Sequence, residues 1–263
     1  MAYRAALVTG ASSGIGEAFA RALPDATSLV LTGRDMAALD ALAADLARPG
    51  RRVEVVTADL ATDPGRDRVI EAGEAAGIDL LVNNAGLGYF APVPRNTIAQ
   101  ERAMVEVNVT TPVVLTRALL PGMLARAAEA GTRAGIVVVS SISAFLPVSR
   151  LTTYAATKAF DLHYAEALAF DLEGQPCDVL ALCPGFTKTK FGDRSGMKSW
   201  MFHDGADPAD VARAALDGLG RKRVVAIGSG SIMTPLMARL LPRRWLSAAV
   251  VASMKALKKR AGS

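Results

Sequence analysis

Tyr154 and Lys158 stand four residues apart in the stretch "YAATK". On a helix, side chains at i and i+4 share a face, so a phenol and an ammonium in this spacing lie within reach of each other. A free phenol has a pKa of about 10, too high for efficient proton exchange near neutrality. A cation one turn away favours the phenolate, which is what an acid–base tyrosine needs. An isolated pair of this kind is ordinarily helix surface, so its meaning depends on its setting. A second stretch with chemical content is "TGASSGIG", Thr9 to Gly16, between a strand-like run and a helical one. Gly10 permits a tight turn there, Gly14 lets a pyrophosphate approach the backbone, and Gly16 lets helix and strand pack closely. Ser12, Ser13 and Ile15 belong to the same turn, and the free N–H groups of the helix start suit a phosphate.

The elements that must hold these residues alternate along the chain. Short β-branched runs fall at 5–9, 28–32, 52–57, 78–82, 135–140, 177–182 and 223–227. Between them lie amphipathic segments near 15–23, 35–47, 65–76, 97–128, 152–173 and 207–219. This alternation, with no composition break before about 228, predicts parallel strands joined by helical crossovers in one sheet. The expected fold is α/β: one Rossmann-type doubly wound domain over 1–228, followed by a basic amphipathic helical tail over 229–263.

Candidate ligand residues gather where strands end. "LTGRD" closes the second strand with Gly33 where an acid would accept from a ribose 2′-hydroxyl, followed by Arg34, whose guanidinium suits a 2′-phosphate. The expected cofactor is therefore NADP(H), with NAD(H) as the second choice. Asp59 and Leu60 close the third strand, where Asp59 can accept from an adenine amino group or serve as a turn or cap aspartate. "NNAG" closes the fourth, with Asn83, Ala85 and Gly86 beside the cofactor path.

Composition narrows the function classes. Half of the 263 residues are apolar, so the chain can build a substantial core. The start, "MAYRAALVTG", has no basic leader before its apolar run, and no stretch of 18 uncharged apolar residues occurs, so neither a signal peptide nor a transmembrane helix is expected. Cys177 and Cys183 lack CxxC spacing and histidine partners, which points to buried free thiols and no metal. Ten of the 30 basic residues but none of the 25 acidic ones follow Asp217, leaving a mildly acidic body of 20 against 25. The basic residues do not alternate with base-stacking aromatics, so nucleic acid is not an expected partner.

"TGASSGIG", "NNAG", "SSIS", "YAATK" and "CPGFTKT" occur in this order. Together they resemble a classical short-chain dehydrogenase/reductase over residues 1 to about 228. The resemblance implies a seven-stranded parallel sheet and a catalytic group of Asn108, Ser141, Tyr154 and Lys158. Tyr154 is then general acid in reduction and general base in oxidation, and Lys158 also bonds the nicotinamide ribose. Ser141, thirteen residues before Tyr154, holds the substrate oxygen, and Asn108 holds a water that relays protons. Pro184 and Gly185 come beside the nicotinamide, with Thr187 and Thr189 near its carboxamide or the phosphates. The implied reaction interconverts a ketone or aldehyde and its alcohol. The alternative is a non-catalytic, NADP-binding or regulatory protein on the same fold, but such proteins tend to lose the Tyr or Lys that this chain keeps. The family also implies a homo-oligomer, at least a dimer, through the helices at 97–128 and 152–173.

The stretch 186–206 should cover the substrate. Phe191, Met197, Trp200, Met201 and Phe202 make it apolar, which favours a lipophilic substrate. His203 and His163 are expected to bond a loop and to pack, respectively. In the tail, Leu246, Val250, Met254 and Leu257 share a helical face opposite Lys255, Lys258 and Lys259. That face suits packing on the body or on a second subunit, and the basic side suits peripheral contact with an anionic membrane. The expected location is cytoplasmic, with membrane association through the tail as the alternative.

Overall fold

The computed structural model describes residues 3–197 and 204–228, together with Gly230, Ser231 and Leu236. The tail helix and the loop residues Trp200 to His203 lie outside the described residues. Seven strands form one sheet: β1 (Ala5–Thr9), β2 (Ser28–Gly33), β3 (Val53–Thr57), β4 (Leu80–Asn83), β5 (Ala134–Val139), β6 (Cys177–Pro184) and β7 (Val224–Ile227). Every neighbouring pair is parallel, in the order β3-β2-β1-β4-β5-β6-β7. The order reverses between β1 and β4, the crevice where open α/β sheets bind ligands.

The helices are α1 (Gly14–Ala22), α2 (Met36–Leu46), α3 (Asp63–Ala76), α4 (Ile98–Val105), α5 (Thr111–Ala130), α6 (Thr152–Asp171), α7 (Phe191–Ser195) and α8 (Pro208–Gly218). They cover both faces of the sheet, and the period of two in the strands decides which residue meets which layer. Ala6 and Val8 of β1 pack with Phe19 of α1, Leu39 of α2 and Val211 of α8. Their neighbours Ala5 and Leu7 pack on the opposite face with Val69 of α3, Leu119 of α5 and Leu162 of α6. Burial on both sides explains why the strands read as continuous apolar runs.

The segment 97–128, expected as one helix, is α4 and α5 joined by a π-helical turn, Glu106–Thr110. The whole stretch Ile98–Ala130 is long and apolar enough to cross a membrane by length and composition. Its α5 part carries Leu115, Leu119 and Met123 into the core beneath the sheet, as a covering helix does. Between the end of β6 and Met197 lies the short α7, which packs over the site described next.

Candidate active site

A cavity of about 930 Å³ opens at the carboxyl ends of the strands. Residues after β3, β2, β1, β4, β5 and β6 line it, so it crosses five strand intervals, roughly 24 Å.

At the β1–α1 turn, Gly10 and Gly14 both hold positive φ, 66° and 64°. L side chains rarely adopt this conformation. Ser12, Ser13, Gly14 and Ile15 line the cavity, while Gly16 is buried behind it. A Cβ on Gly16 would collide with the Gly10 carbonyl, so its role is close helix–strand packing. Gly33, Arg34, Asp59 and Leu60 line the far end. Arg34 is exposed there and makes no hydrogen bond or ion pair among the described residues. Asp59 also serves its own turn, accepting from the Ala61 N–H at 3.1 Å.

After β4 the structure separates two adjacent amides. Asn83 is buried away from the cavity and donates to Thr116 Oγ1 of α5 at 3.1 Å. Asn84 lines the cavity instead. Its Nδ2 donates to the Thr9 carbonyl at 2.8 Å, tying β4 to the glycine turn. The period of two does not separate the pair, because both faces of β4 are buried; the end of the strand at Asn83 does. Ala85 and Gly86 line the cavity, joined by Leu87, Gly88 and Tyr89.

The chemical end forms where α6 meets the ends of β5 and β6. Ser140 and Ser141 follow β5 with different tasks. The Ser140 hydroxyl donates to the Lys158 carbonyl at 2.6 Å and fixes α6 to the strand end. Ser141 faces the cavity with Tyr154, and its hydroxyl accepts from the Ser143 N–H at 3.1 Å. Lys158 is buried; its Nζ donates to the Val139 carbonyl at 2.8 Å and to Asp161 Oδ2 at 2.9 Å. The ammonium lies 6.0 Å from the Tyr154 ring centroid. Burial pushes the Tyr154 phenol above its ordinary value, while Lys158 and the Ser141 hydroxyl pull it down. Burial acts to lower the Lys158 ammonium, but Asp161 and Tyr154 outweigh it and hold the lysine charged.

Asn108 is buried in the π turn and does not line the cavity. Its Oδ1 accepts from the Leu87 N–H at 2.8 Å, and its Nδ2 donates to the Leu87 carbonyl and Thr157 Oγ1, each at 2.9 Å. It thus braces the loop after β4 against α6. π-turns often mark functional sites because the extra residue re-aims a side chain. Pro184, Gly185, Thr187 and Thr189 line the cavity after β6. A Cβ on Gly86 would lie 3.6 Å from Lys158 Nζ, so the glycine keeps the backbone close to the ammonium.

The residues fit a nicotinamide dinucleotide: a glycine cradle that a Cβ would fill, a free guanidinium at one end, and an acid–base pair at the other. The comparisons with known proteins agree. Residues 4–199 match the short chain dehydrogenase family. Mouse dehydrogenase/reductase SDR family member 7B is 32% identical over 233 residues, covering 82% of this chain and 70% of that one. The crystal structure of 3-ketoacyl-(acyl-carrier-protein) reductase from Brucella melitensis complexed with NADH is 28% identical, with a TM-score of 0.77, covering 87% of this chain and 98% of that one. A short-chain dehydrogenase from Sphingobium yanoikuyae in complex with NADPH is 29% identical, with a TM-score of 0.72, covering 97% and 95%. Fold, ordered motifs and matched residues together make this chain a member of the classical short-chain dehydrogenase/reductase family, an oxidoreductase built around a nicotinamide cofactor site.

Proposed function

We propose that the chain is an NADP(H)-dependent oxidoreductase that interconverts a lipophilic ketone or aldehyde and its alcohol. The gathering of Ser141, Tyr154 and Lys158 at one end of the cavity, with Arg34 at the other, carries this reading. Bound nicotinamide supplies or accepts the hydride. Ser141 holds the substrate oxygen and stabilises the developing alkoxide. Tyr154 delivers its phenolic proton to that oxygen in reduction and removes it in oxidation, with Lys158 as the balancing charge.

Arg34 supports the phosphorylated cofactor, since a guanidinium pairs with a 2′-phosphate through charge-assisted hydrogen bonds. Substrate class rests on the opposite wall. Leu151 and Met197 form an apolar cluster with Phe90, Val148, Phe186 and Phe191 around Tyr154. The Phe191 ring lies 5.5 Å from that of Tyr154. Such a wall rewards apolar area on the substrate, at about 25 cal/mol per Å² buried.

Dimerisation through the long helices is supported by apolar groups exposed along them. Ile98 and Val105 of α4 and Phe160 of α6 face outward, and Phe160 stacks on Tyr164. Cys177 and Cys183 are buried free thiols, which accords with a reducing compartment such as the cytoplasm. The deciding experiment is a panel of aldehydes, ketones, steroids and 3-oxoacyl thioesters offered with NADPH and with NADH, read by nicotinamide absorbance. Turnover of an apolar carbonyl with NADPH is expected. Failure of every carbonyl, or a clear preference for NADH, would overturn the corresponding part of the reading.

A further inference from the structure

Asp161 belongs to none of the motifs that define the site, yet it touches the central cation. It sits three residues after Lys158 and seven after Tyr154, so all three fall on one face of α6. Its side chain is only 2% exposed, and its Oδ2 accepts from Lys158 Nζ at 2.9 Å. Its other oxygen, Oδ1, is buried with no hydrogen-bond partner among the described residues.

That arrangement is poor value as a structural device. A buried ion pair roughly breaks even against apolar packing, and only when its remaining lone pairs are satisfied. Here one carboxylate oxygen is not. An apolar side chain would fill the position at lower cost, so stability alone does not account for an aspartate there.

We propose that Asp161 is a positioning residue for Lys158: it pins the ammonium against the Val139 carbonyl and offsets part of its charge beside Tyr154. The consequence is that Tyr154 holds its proton to higher pH, which suits it to donate in reduction more than to accept in oxidation. This rests on Tyr154 and Lys158 being the acid–base pair. The field at Tyr154 points the same way, since Lys158 acts to release the phenolic proton and Asp161 to retain it. The other groups around the ammonium do not compete. Cys183 on β6 has a thiol pushed up to about 12 by burial and stays neutral. Glu166, further along α6, acts on Cys183, while the segment after β5 presents the hydroxyls of Ser140 and Ser141 and the π turn presents the amide of Asn108, which are uncharged.

Removing the charge at 161 takes away one of the two groups that hold Lys158 charged, leaving the ammonium its Val139 acceptor and the Tyr154 phenolate as its counter-ion. Phenolate formation should therefore become easier. The test uses cofactor-free protein and no substrate, so it is independent of whether any carbonyl is turned over. The ultraviolet phenolate signal of Tyr154 is titrated in the natural protein and in Asp161→Asn, each after subtraction of the same protein carrying Tyr154→Phe. The midpoint is expected about one pH unit lower in Asp161→Asn. Asp161→Glu, which keeps the charge, should stay near the natural midpoint. Should the amide variant not fold, Asp161→Val removes the same charge and takes its place. A merely structural aspartate would alter melting and leave the midpoint in place. A midpoint that is unchanged or higher without the charge overturns the proposal.

Discussion

A Cβ placed on Gly14 would come within 2.8 Å of Thr189 Cγ2. The first glycine turn and the segment after β6 therefore meet across the cavity, although 175 positions separate them in the sequence. Gly14→Ala places that methyl in the gap and also forces an alanine to φ near +64°. The backbone term alone costs roughly 1–2 kcal/mol. NADPH affinity, followed by nicotinamide fluorescence, should fall about tenfold or more. Thr189→Ser in the same chain removes the Cγ2 contact but neither the Cβ contact at 3.0 Å nor the φ strain, so it should restore only part of the loss.

Tyr154→Phe removes the phenolic hydroxyl proposed as the proton donor and keeps the ring against Phe191. Carbonyl reduction should fall by about two to four orders of magnitude, the usual worth of a positioned acid–base group. NADPH binding should remain within a few-fold, which separates lost chemistry from a lost site. Turnover and fluorescence titration on the same preparation check both halves.

Arg34→Ala removes a charged donor from the far end of the cavity. A hydrogen bond to a charged group is worth about 1.5–3 kcal/mol, so NADPH should bind roughly ten- to a hundredfold more weakly. NADH, which lacks the 2′-phosphate, should change little. Paired titrations with the two cofactors measure the difference directly.

Lys158→Met leaves the Asp161 carboxylate buried without its cation. Breaking a buried pair in this way typically costs about 3–5 kcal/mol, readable by urea unfolding. Burial already holds the Asp161 carboxyl above its ordinary value of 3.8, and losing the lysine raises it further. A carboxyl whose folded pKa is raised destabilises the fold at pH above that value, and the penalty fades as it takes up its proton. The deficit of Lys158→Met against the natural protein should therefore be full only at pH above the raised Asp161 value. It should shrink as pH falls through the raised Asp161 value toward 3.8.

Much of the fold was legible along the chain because its determinants are local. The apolar runs gave all seven strands to within a residue or two, since a strand buried on both faces must be apolar throughout. The glycines of "TGASSGIG" and the spacing of Tyr154 and Lys158 encode a turn and a helix face, each set by neighbours a few residues away. The order of the motifs placed Ser141 with that pair.

Other assignments needed the packed molecule. Which of Asn83 and Asn84 faces the cavity depends on where β4 ends, and a one-residue shift exchanges the two faces of a strand. The family resemblance implies that Asn108 holds a relay water, and only the π turn shows it clamping Leu87 to Thr157. Asp161 is the sharpest case. In sequence it is one aspartate among 25 acidic residues, spaced from Lys158 like any surface pair. Packing α6 against β5 and β6 makes that pair dry, and burial turns a weak surface attraction into a strong determinant of the tyrosine's proton. Periodicity reports which face of a helix is apolar, but the dielectric around a charge belongs to the assembled layers.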